Sequence, residues 1–381
     1  MVSIKKCDSY NYEEVLSVIK ETWENMGGIE KYIKKGEKVL LKVNLVMRKA
    51  PEEAATTHPA VVRAVAQTLV EYGANVTIGD SPGGPFMETL LKSIYKHTGM
   101  EEAAALSGVS LNFDTTSSLH QNPEGHALKS ITVANMVTNA DKVINICKLK
   151  SHSMTRYSGA AKNMFGTIPG TTKAEYHFTC QDIESFSKCL TDICIFANPV
   201  ITFMDAVTAM EGNGPTAGDP RHVGAILAGE NPFELDICGS RIINTVPNEI
   251  PLLKHAIERG LCADDYKKVE IKGDNIEDFV VEDFKVPQNK SMYFLGKNPP
   301  KFVLKFINKH INPKPVFDHK TCIGCGDCAK NCPAKVIEMK NHKPYLIDTE
   351  KCIRCFCCQE LCPKKAVSVH KSAVLKILSK F

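Results

Sequence analysis

The sequence predicts an α/β protein: a mostly parallel sheet flanked by helices, with a small α+β domain appended near the C-terminal end. Three observations carry this prediction. Short β-rich runs alternate with segments of helical periodicity, the order that produces parallel sheets. Glycine- and proline-rich loops follow several of those runs, as at Asp80-Ser81-Pro82-Gly83-Gly84. Residues 316–371 are instead dense in regularly spaced cysteine.

Residues 13–26 have helical periodicity, and residues 38–46 are apolar enough for a buried strand. A loop over 47–57 carries Arg48, Lys49 and Pro51. Thr56 and Thr57 are helix-capping types and Pro59 suits a first turn, so a helix is expected over 60–72, ended by Gly73. Residues 75–79 form the next strand and 86–98 the next helix. A strand over 142–147 leads into 148–170, a segment with few large apolar side chains and several basic ones. Residues 201–205 read as a strand ending in an acid, followed by a glycine-rich loop over 211–221. A core strand over 223–228 and a helix over 232–243 come next. Beyond residue 246 the signals weaken. A helix over 253–260, short strands over 269–273 and 279–286, a basic amphipathic connector over 299–311 and a tail helix over 372–381 are expected.

In parallel sheets the ligand-binding loops lie beyond the C-terminal ends of the strands. That rule puts Asn44, His58 and the loop Asp80-Ser81-Pro82-Gly83-Gly84 on one edge, and Lys42, at the end of its strand, joins the basic residues named below. The paired glycines let backbone N–H groups approach an anion such as phosphate, or they form a plain turn. The segment after residue 147 adds Lys148, Lys150, His152, Arg156, Lys162 and Asn163, with small residues around Lys162, and His177 follows. Asp205 and Glu211 suit either a basic ligand, a cation, or capping and turn chemistry. The basic set, with Arg48, suits a small anionic substrate. His58, His152 and His177 suit proton transfer, because free imidazole titrates near pH ~6.5.

The cysteine-rich stretch is a duplicated ladder. Cys322, Cys325, Cys328 and Cys332 are followed by Pro333, and the pattern returns at Cys352, Cys355, Cys358, Cys362 and Pro363. Each half has the C-x2-C-x2-C-x3-C-P spacing of bacterial ferredoxins, in which three cysteines wrap one [4Fe-4S] cluster and the fourth serves the other. Cys322, Cys325, Cys328 and Cys362 are therefore expected to hold one cluster, and Cys352, Cys355, Cys358 and Cys332 the second. A doubled ladder in this register is foreign to zinc sites, and disulfides need an oxidising compartment. Cys357 stands off register and is expected to be a bystander thiol.

The chain has 381 residues, 43% hydrophobic and 24% charged, with a net charge of +4. Its basic and acidic residues are mixed, which does not point to nucleic acid. Of sixteen cysteines, the eight outside the ladder pattern show no paired arrangement, and several sit in apolar runs as small hydrophobes. The first residues lack the apolar core of a signal peptide, and no run is long and apolar enough to span a membrane. A reducing, cytoplasmic location is expected, in an anaerobe. The expected organisation is an α/β domain over 1–245, an extension and connector over 246–315, a two-cluster ferredoxin-like domain over 316–371, and the tail.

Lys42-Val-Asn44, Thr56-Thr-His-Pro59, Gly79-Asp-Ser-Pro-Gly-Gly84, Lys148-Leu-Lys-Ser-His152, Gly159-Ala-Ala-Lys-Asn163 and Met210-Glu-Gly-Asn-Gly-Pro215, with Asp205, resemble the iron–sulfur family called domain of unknown function 362. The resemblance covers residues 1–245, and its members often carry a C-terminal ferredoxin module. More distantly, His152, the turn Tyr157-Ser-Gly-Ala-Ala-Lys162 and His177 resemble nickel-pincer lactate racemases in order and spacing, with Ala160 where the racemases have glycine. That resemblance implies Lys162 as an anchor or phosphate-binding group, His177 as a metal or substrate ligand and His152 as proton donor. It also allows an additional metal or organic cofactor in the α/β domain.

The favoured expectation is an oxidoreductase: two clusters relaying electrons between a redox partner protein, a ferredoxin or reductase, and a small anionic molecule in the α/β domain. A ferredoxin-type carrier with a docking domain and a metal- or pincer-dependent isomerase are the alternatives.

Overall fold

A computed structural model describes residues 1–287 and 313–370. The expected connector over 299–311 and tail helix over 372–381 lie outside the described residues.

β1 (Val2–Lys6) and α1 (Tyr12–Met26) lead the chain. The Asn11 side chain caps α1 by accepting from the Glu13 and Glu14 amides, and Gly27 closes it at φ 98°. β2 (Lys38–Lys42), α2 (Pro59–Tyr72), β3 (Asn75–Gly79), α3 (Glu88–His97), α4 (Met100–Ser107) and β4 (Ser110–Leu111) follow. A hairpin of β5 (Ser117–Gln121) and β6 (Ser130–Ala134) and the short α5 (Asn135–Thr138) precede β7 (Lys142–His152). Then come β8 (Arg156–Ser158), α6 (Ala160–Asn163), α7 (Thr172–Thr179), α8 (Ile183–Ala197), β9 (Ile201–Glu211), β10 (Asp219–Gly229), α9 (Pro232–Ile242), α10 (Pro251–Glu258) and β11 (Ile271–Gly273).

The main sheet runs β11-β1-β10-β9-β7-β2-β3-β4, with β8 paired to β7. β9, β7, β2, β3 and β4 are parallel. β10 is antiparallel to both β9 and β1, and β11 is parallel to β1. Along β2, Leu40 and Leu41 enter opposite cores, as the two-residue period of a strand demands. Helices cover both faces, so β7 is buried from Val143 to His152. This burial forces every polar side chain on β7 to find a partner.

Several expectations are revised. The Thr56 and Thr57 side chains do not cap α2. The His58 ring does, its Nδ1 accepting from the Ala60 amide at 3.2 Å. Thr57 is drawn away because its hydroxyl donates to the Ile146 carbonyl at 2.8 Å. Strand β9 does not end at Asp205 but continues to Glu211, paired with β10 throughout most of its length. The glycine-rich loop is thus a hairpin connection over 212–218. Residues 148–152 belong to β7 and not to a loop. No strand forms over 279–286, where Phe279 and Phe284 turn into the core instead of entering a ladder. The region after 246 is not separate, since β11 extends the sheet beside β1. Cys180 and Cys189, expected unpaired, bring their sulfurs together where the end of α7 meets α8.

In the small domain, β12 (Lys314–Phe317) pairs with β15 (Val367–His370) and β13 (Ile337–Lys340) with β14 (Lys343–Leu346). Two one-turn helices, Asp327–Lys330 and Cys357–Glu360, lie between them. This domain packs against the large one. Phe356 belongs to the main apolar core. Gln359 Nε2 donates to the Asn213 carbonyl at 3.0 Å, and Thr216 Oγ1 donates to the Glu360 carbonyl at 2.9 Å. The β9–β10 loop therefore grips the second cluster helix.

Candidate functional site

A cavity of about 110 Å³ opens where the C-terminal ends of β2, β3 and β7 meet the helix Cys357–Glu360. From the large domain it is lined by Asn44, the Asp80–Gly84 loop, Lys150, Lys162, Asn163, Lys173 and His177. The small domain contributes Asn331, Cys357, Glu360 and Leu361. Gly83 packs against Leu361 so closely that a Cβ there would stand 2.7 Å from the leucine Cδ2. That glycine lets the domains meet without displacing the Leu361 side chain, and its backbone conformation does not call for it.

Burial of so many cations demands compensation. Lys42 Nζ pairs with Asp80 Oδ1 at 2.7 Å and donates to its neighbour's carbonyl, Val43 O, at 2.7 Å. Lys148 Nζ pairs with Asp205 Oδ2 at 2.9 Å and donates to Tyr10 Oη at 2.8 Å. Lys150 Nζ donates to Asn44 Oδ1 at 2.6 Å and to the Ala55 carbonyl at 2.8 Å. Asn44 in turn donates to Asn163 Oδ1 at 2.8 Å. Lys173 Nζ donates to the carbonyls of Ser81 at 2.6 Å and Ile168 at 2.7 Å. Burial, with Lys162 nearby, pushes Lys150 down to about 7. Burial likewise brings Lys173 to about 7 and lowers Lys162.

Lys162 differs from these four. It stands on α6, half-buried at the cavity wall, and among the described residues its amine has no hydrogen-bond or ion-pair partner. Asp236 holds α6 in place, accepting from the Ala160 and Ala161 amides at 2.6 and 2.9 Å and from the Tyr157 hydroxyl at 2.9 Å. Burial raises that carboxyl to about 7, against those three donors.

The histidines separate into three situations. His177, on α7, is buried and stacked on Phe186 with centroids 4.2 Å apart, and its Nδ1 has no partner. Burial lowers it to about 4. His152 Nδ1 accepts from the amides of Met154 at 3.0 Å and Thr155 at 3.3 Å, which leaves its proton on Nε2. That nitrogen faces Glu360 Oε1 at 3.1 Å. Protonating Nδ1 would break the amide contacts, and burial lowers His152 to about 4. Glu360, raised by burial but held down more strongly by His152, Lys162 and His177, falls to about 2 and stays ionised. His58 stacks on Tyr10 with centroids 3.5 Å apart and caps α2, away from the cavity.

Of the expected site residues, the structure brings Asn44, Asp80, Ser81, Gly83, Gly84, Lys150, Lys162, Asn163 and His177 to the cavity. Lys42 supports Asp80 from behind, and His152 supports Glu360. His58 and Asp205 lie together in a separate buried network, with the His58 amide donating to Asp205 Oδ2 at 2.9 Å. Arg156 pairs with Glu249 at 2.8 Å, and Glu211 with Lys285 at 3.1 Å. Those four are not cavity residues. Sequence reasoning missed Lys173, Asp236 and Glu360. Glu360 alone carried a signal: an acid inside the cysteine ladder, between Cys358 and Cys362.

Two further cavities of about 20 Å³ each lie within the small domain. One is lined by Cys322, Cys325, Cys328 and Cys362. The other is lined by Cys332, Cys352, Cys355 and Cys358. Each takes three thiols from one repeat and the fourth from the other. Among the described residues no three His, Cys, Asp or Glu side chains converge on a single-ion site. Four thiols spread around a space fit a [4Fe-4S] cluster, and the donor chemistry is all sulfur. Cys357 lines neither thiol cavity and faces the larger one.

No helix among the described residues is long and apolar enough to cross a membrane. Residues 39–241 match the model of a domain of unknown function, DUF362, and residues 314–363 match a 4Fe-4S dicluster domain. A thylakoid-associated protein of Synechocystis sp. is 30% identical over 274 residues, covering 68% of this chain and 79% of that protein. Among solved structures, the lactate racemase apoprotein of Thermoanaerobacterium thermosaccharolyticum is 12% identical with a TM-score of 0.38, over 60% of this chain and 54% of that one. A Thermotoga maritima protein is 14% identical with a TM-score of 0.32, over 57% of this chain and 55% of that one. The chain thus spans about half the length of both solved proteins. It belongs to the DUF362 family and carries a C-terminal 4Fe-4S dicluster domain that binds iron–sulfur clusters.

Proposed function

We propose that this protein is an iron–sulfur oxidoreductase in which two [4Fe-4S] clusters pass electrons between a redox partner protein and a small anionic molecule in the cavity between the two domains. One observation carries the reading. The helix Cys357–Glu360, which lies between the cysteines of the second repeat, is itself a wall of the cavity. Opposite stand Lys150, Lys162 and Lys173, whose amines attract an anion in their protonated forms. His177, neutral and with a free nitrogen, is placed to give or take a proton. His152 faces Glu360 at 3.1 Å and supports it at the cavity wall. Lys42, Asp80 and Asn163 keep the lysine wall in position.

A reducing, cytoplasmic setting in an anaerobe is part of the reading, because cluster ligation uses thiolates. The thylakoid-associated relative makes contact with a membrane surface compatible with it.

The test is anaerobic. The protein is reduced with dithionite, freed of excess reductant, and offered small carboxylates and phosphate esters while cluster absorbance is followed. With a true substrate, Lys162→Ala and His177→Ala should each slow reoxidation by about 10²-fold or more at unchanged iron content, the usual scale for a lost proton-transfer group. If both variants reoxidise with every compound as fast as the unaltered protein, the reading fails.

A further inference from the structure

Five buried or half-buried lysines surround the cavity or its support, and four of them are fully engaged. Lys42 and Lys148 have carboxylates, while Lys150 and Lys173 have carbonyl and amide oxygens. Among the described residues Lys162 has neither, although α6 is tied firmly by Asp236 and the residue lines the cavity. An amine used only to fix structure would have an acceptor. One used only for its charge gains little from a neighbourhood that already holds two other lysines. The arrangement suits an amine kept available for bond formation.

We propose that Lys162 condenses with the carbonyl group of a small 2-oxo carboxylate to form an imine in this cavity, an inference that rests on the cavity being a substrate site. The amine nitrogen attacks the carbonyl carbon and a C–N bond forms. The carbonyl oxygen leaves as water with the two protons that nitrogen carried. No oxidation state changes, so no oxidant or reductant is needed. His177 is the neutral base beside the cavity with an unpartnered nitrogen, and it carries the proton from nitrogen to the departing oxygen. The substrate carboxylate lies in the field of Lys150 and Lys173, next to the Gly83–Gly84 turn. Burial favours the neutral and nucleophilic form of the amine, with Glu360 as the opposing influence. Each unit by which an amine's pKa falls raises its neutral fraction at pH 7 about tenfold.

The test captures the imine without any turnover of the clusters. Iron-loaded full-length protein is incubated anaerobically with pyruvate and sodium cyanoborohydride, digested, and mapped by mass spectrometry. The expected result is a carboxyethyl group on Lys162 at about tenfold or greater excess over exposed lysines such as Lys35. In Lys162→Arg, which keeps the charge, the cavity label should vanish while surface labelling is unchanged. Acetone, a ketone with a methyl group in place of the carboxylate, should label Lys162 at least about tenfold less than pyruvate when each is normalised to Lys35, the scale of one lost ion contact. Label spread evenly over surface lysines and missing from Lys162 overturns the proposal. Equal normalised labelling by acetone overturns its carboxylate part. Because both outcomes are read in the unaltered protein, misfolding of a variant cannot imitate them. Capture without reoxidation of reduced clusters would sink the redox reading alone, and reoxidation without capture would sink only the imine.

Discussion

Replacing Asp205 separates a structural charge from a ligand-binding one. Its carboxylate is fully buried. Oδ2 accepts from Lys148 Nζ at 2.9 Å and from the His58 amide at 2.9 Å, while Oδ1 accepts from Tyr10 Oη at 2.8 Å. Asp205→Ala leaves Lys148 without its counter-charge and removes this acceptor from three donors, the His58 and Val207 amides and the Tyr10 hydroxyl. Breaking one side of such a pair costs about 3–5 kcal/mol. At roughly 2–4 °C per kcal/mol for a domain of this size, the midpoint should fall by about 6–20 °C. Thermal unfolding followed by far-ultraviolet circular dichroism under anaerobic conditions measures this. The double variant Asp205→Ala, Lys148→Met removes the orphaned cation and should recover part of the loss. A fall of less than about 2 °C in the single variant, or no recovery in the double, would refute the account of this pair.

Other outcomes follow from the same geometry. His58, His152 and His177 are all held near 4 by burial. Between pH ~6.5 and 4 the unfolded chain binds protons that the folded chain refuses, so stability falls with pH in that window. Urea midpoints across it should decline steadily on acidification, and a flat profile would contradict buried neutral imidazoles. Cys357→Ser should retain the iron content of two clusters, whereas Cys358→Ala should lose iron; full iron in the latter would mean that Cys357 serves as the ligand. Asp236→Ala strands the Ala160 and Ala161 amides and the Tyr157 hydroxyl, each at about 1–3 kcal/mol if left unpaired. It should destabilise the large domain and weaken carbonyl capture at Lys162, and normal stability would show that the network matters little.

Much of the cavity was legible because parallel strands must deliver their following loops to one edge. Asn44, Asp80 through Gly84, and Lys150 to Asn163 meet for that reason alone. The cysteine grouping followed from spacing. What failed to show in the sequence were side chains whose meaning depends on a distant partner. A lysine on a strand looks the same whether it meets water or, like Lys148, an aspartate on the neighbouring β9. His58 looked like a proton carrier and is a cap, because Thr57 finds a carbonyl across the sheet. Glu360 lies within a motif read entirely for its cysteines, yet its contact is with β7. The antiparallel flank of β10 and β1 was hidden too, since β1 is short and lies far from its partner in the chain.

The helix Cys357–Glu360 is a single turn, too short to hold its shape unaided. Its geometry is set by the flanking cysteines and by the β9–β10 loop that grips it. Because that same turn lines the cavity, a change at the cysteines around it reaches the chamber wall as well as the cluster ligands.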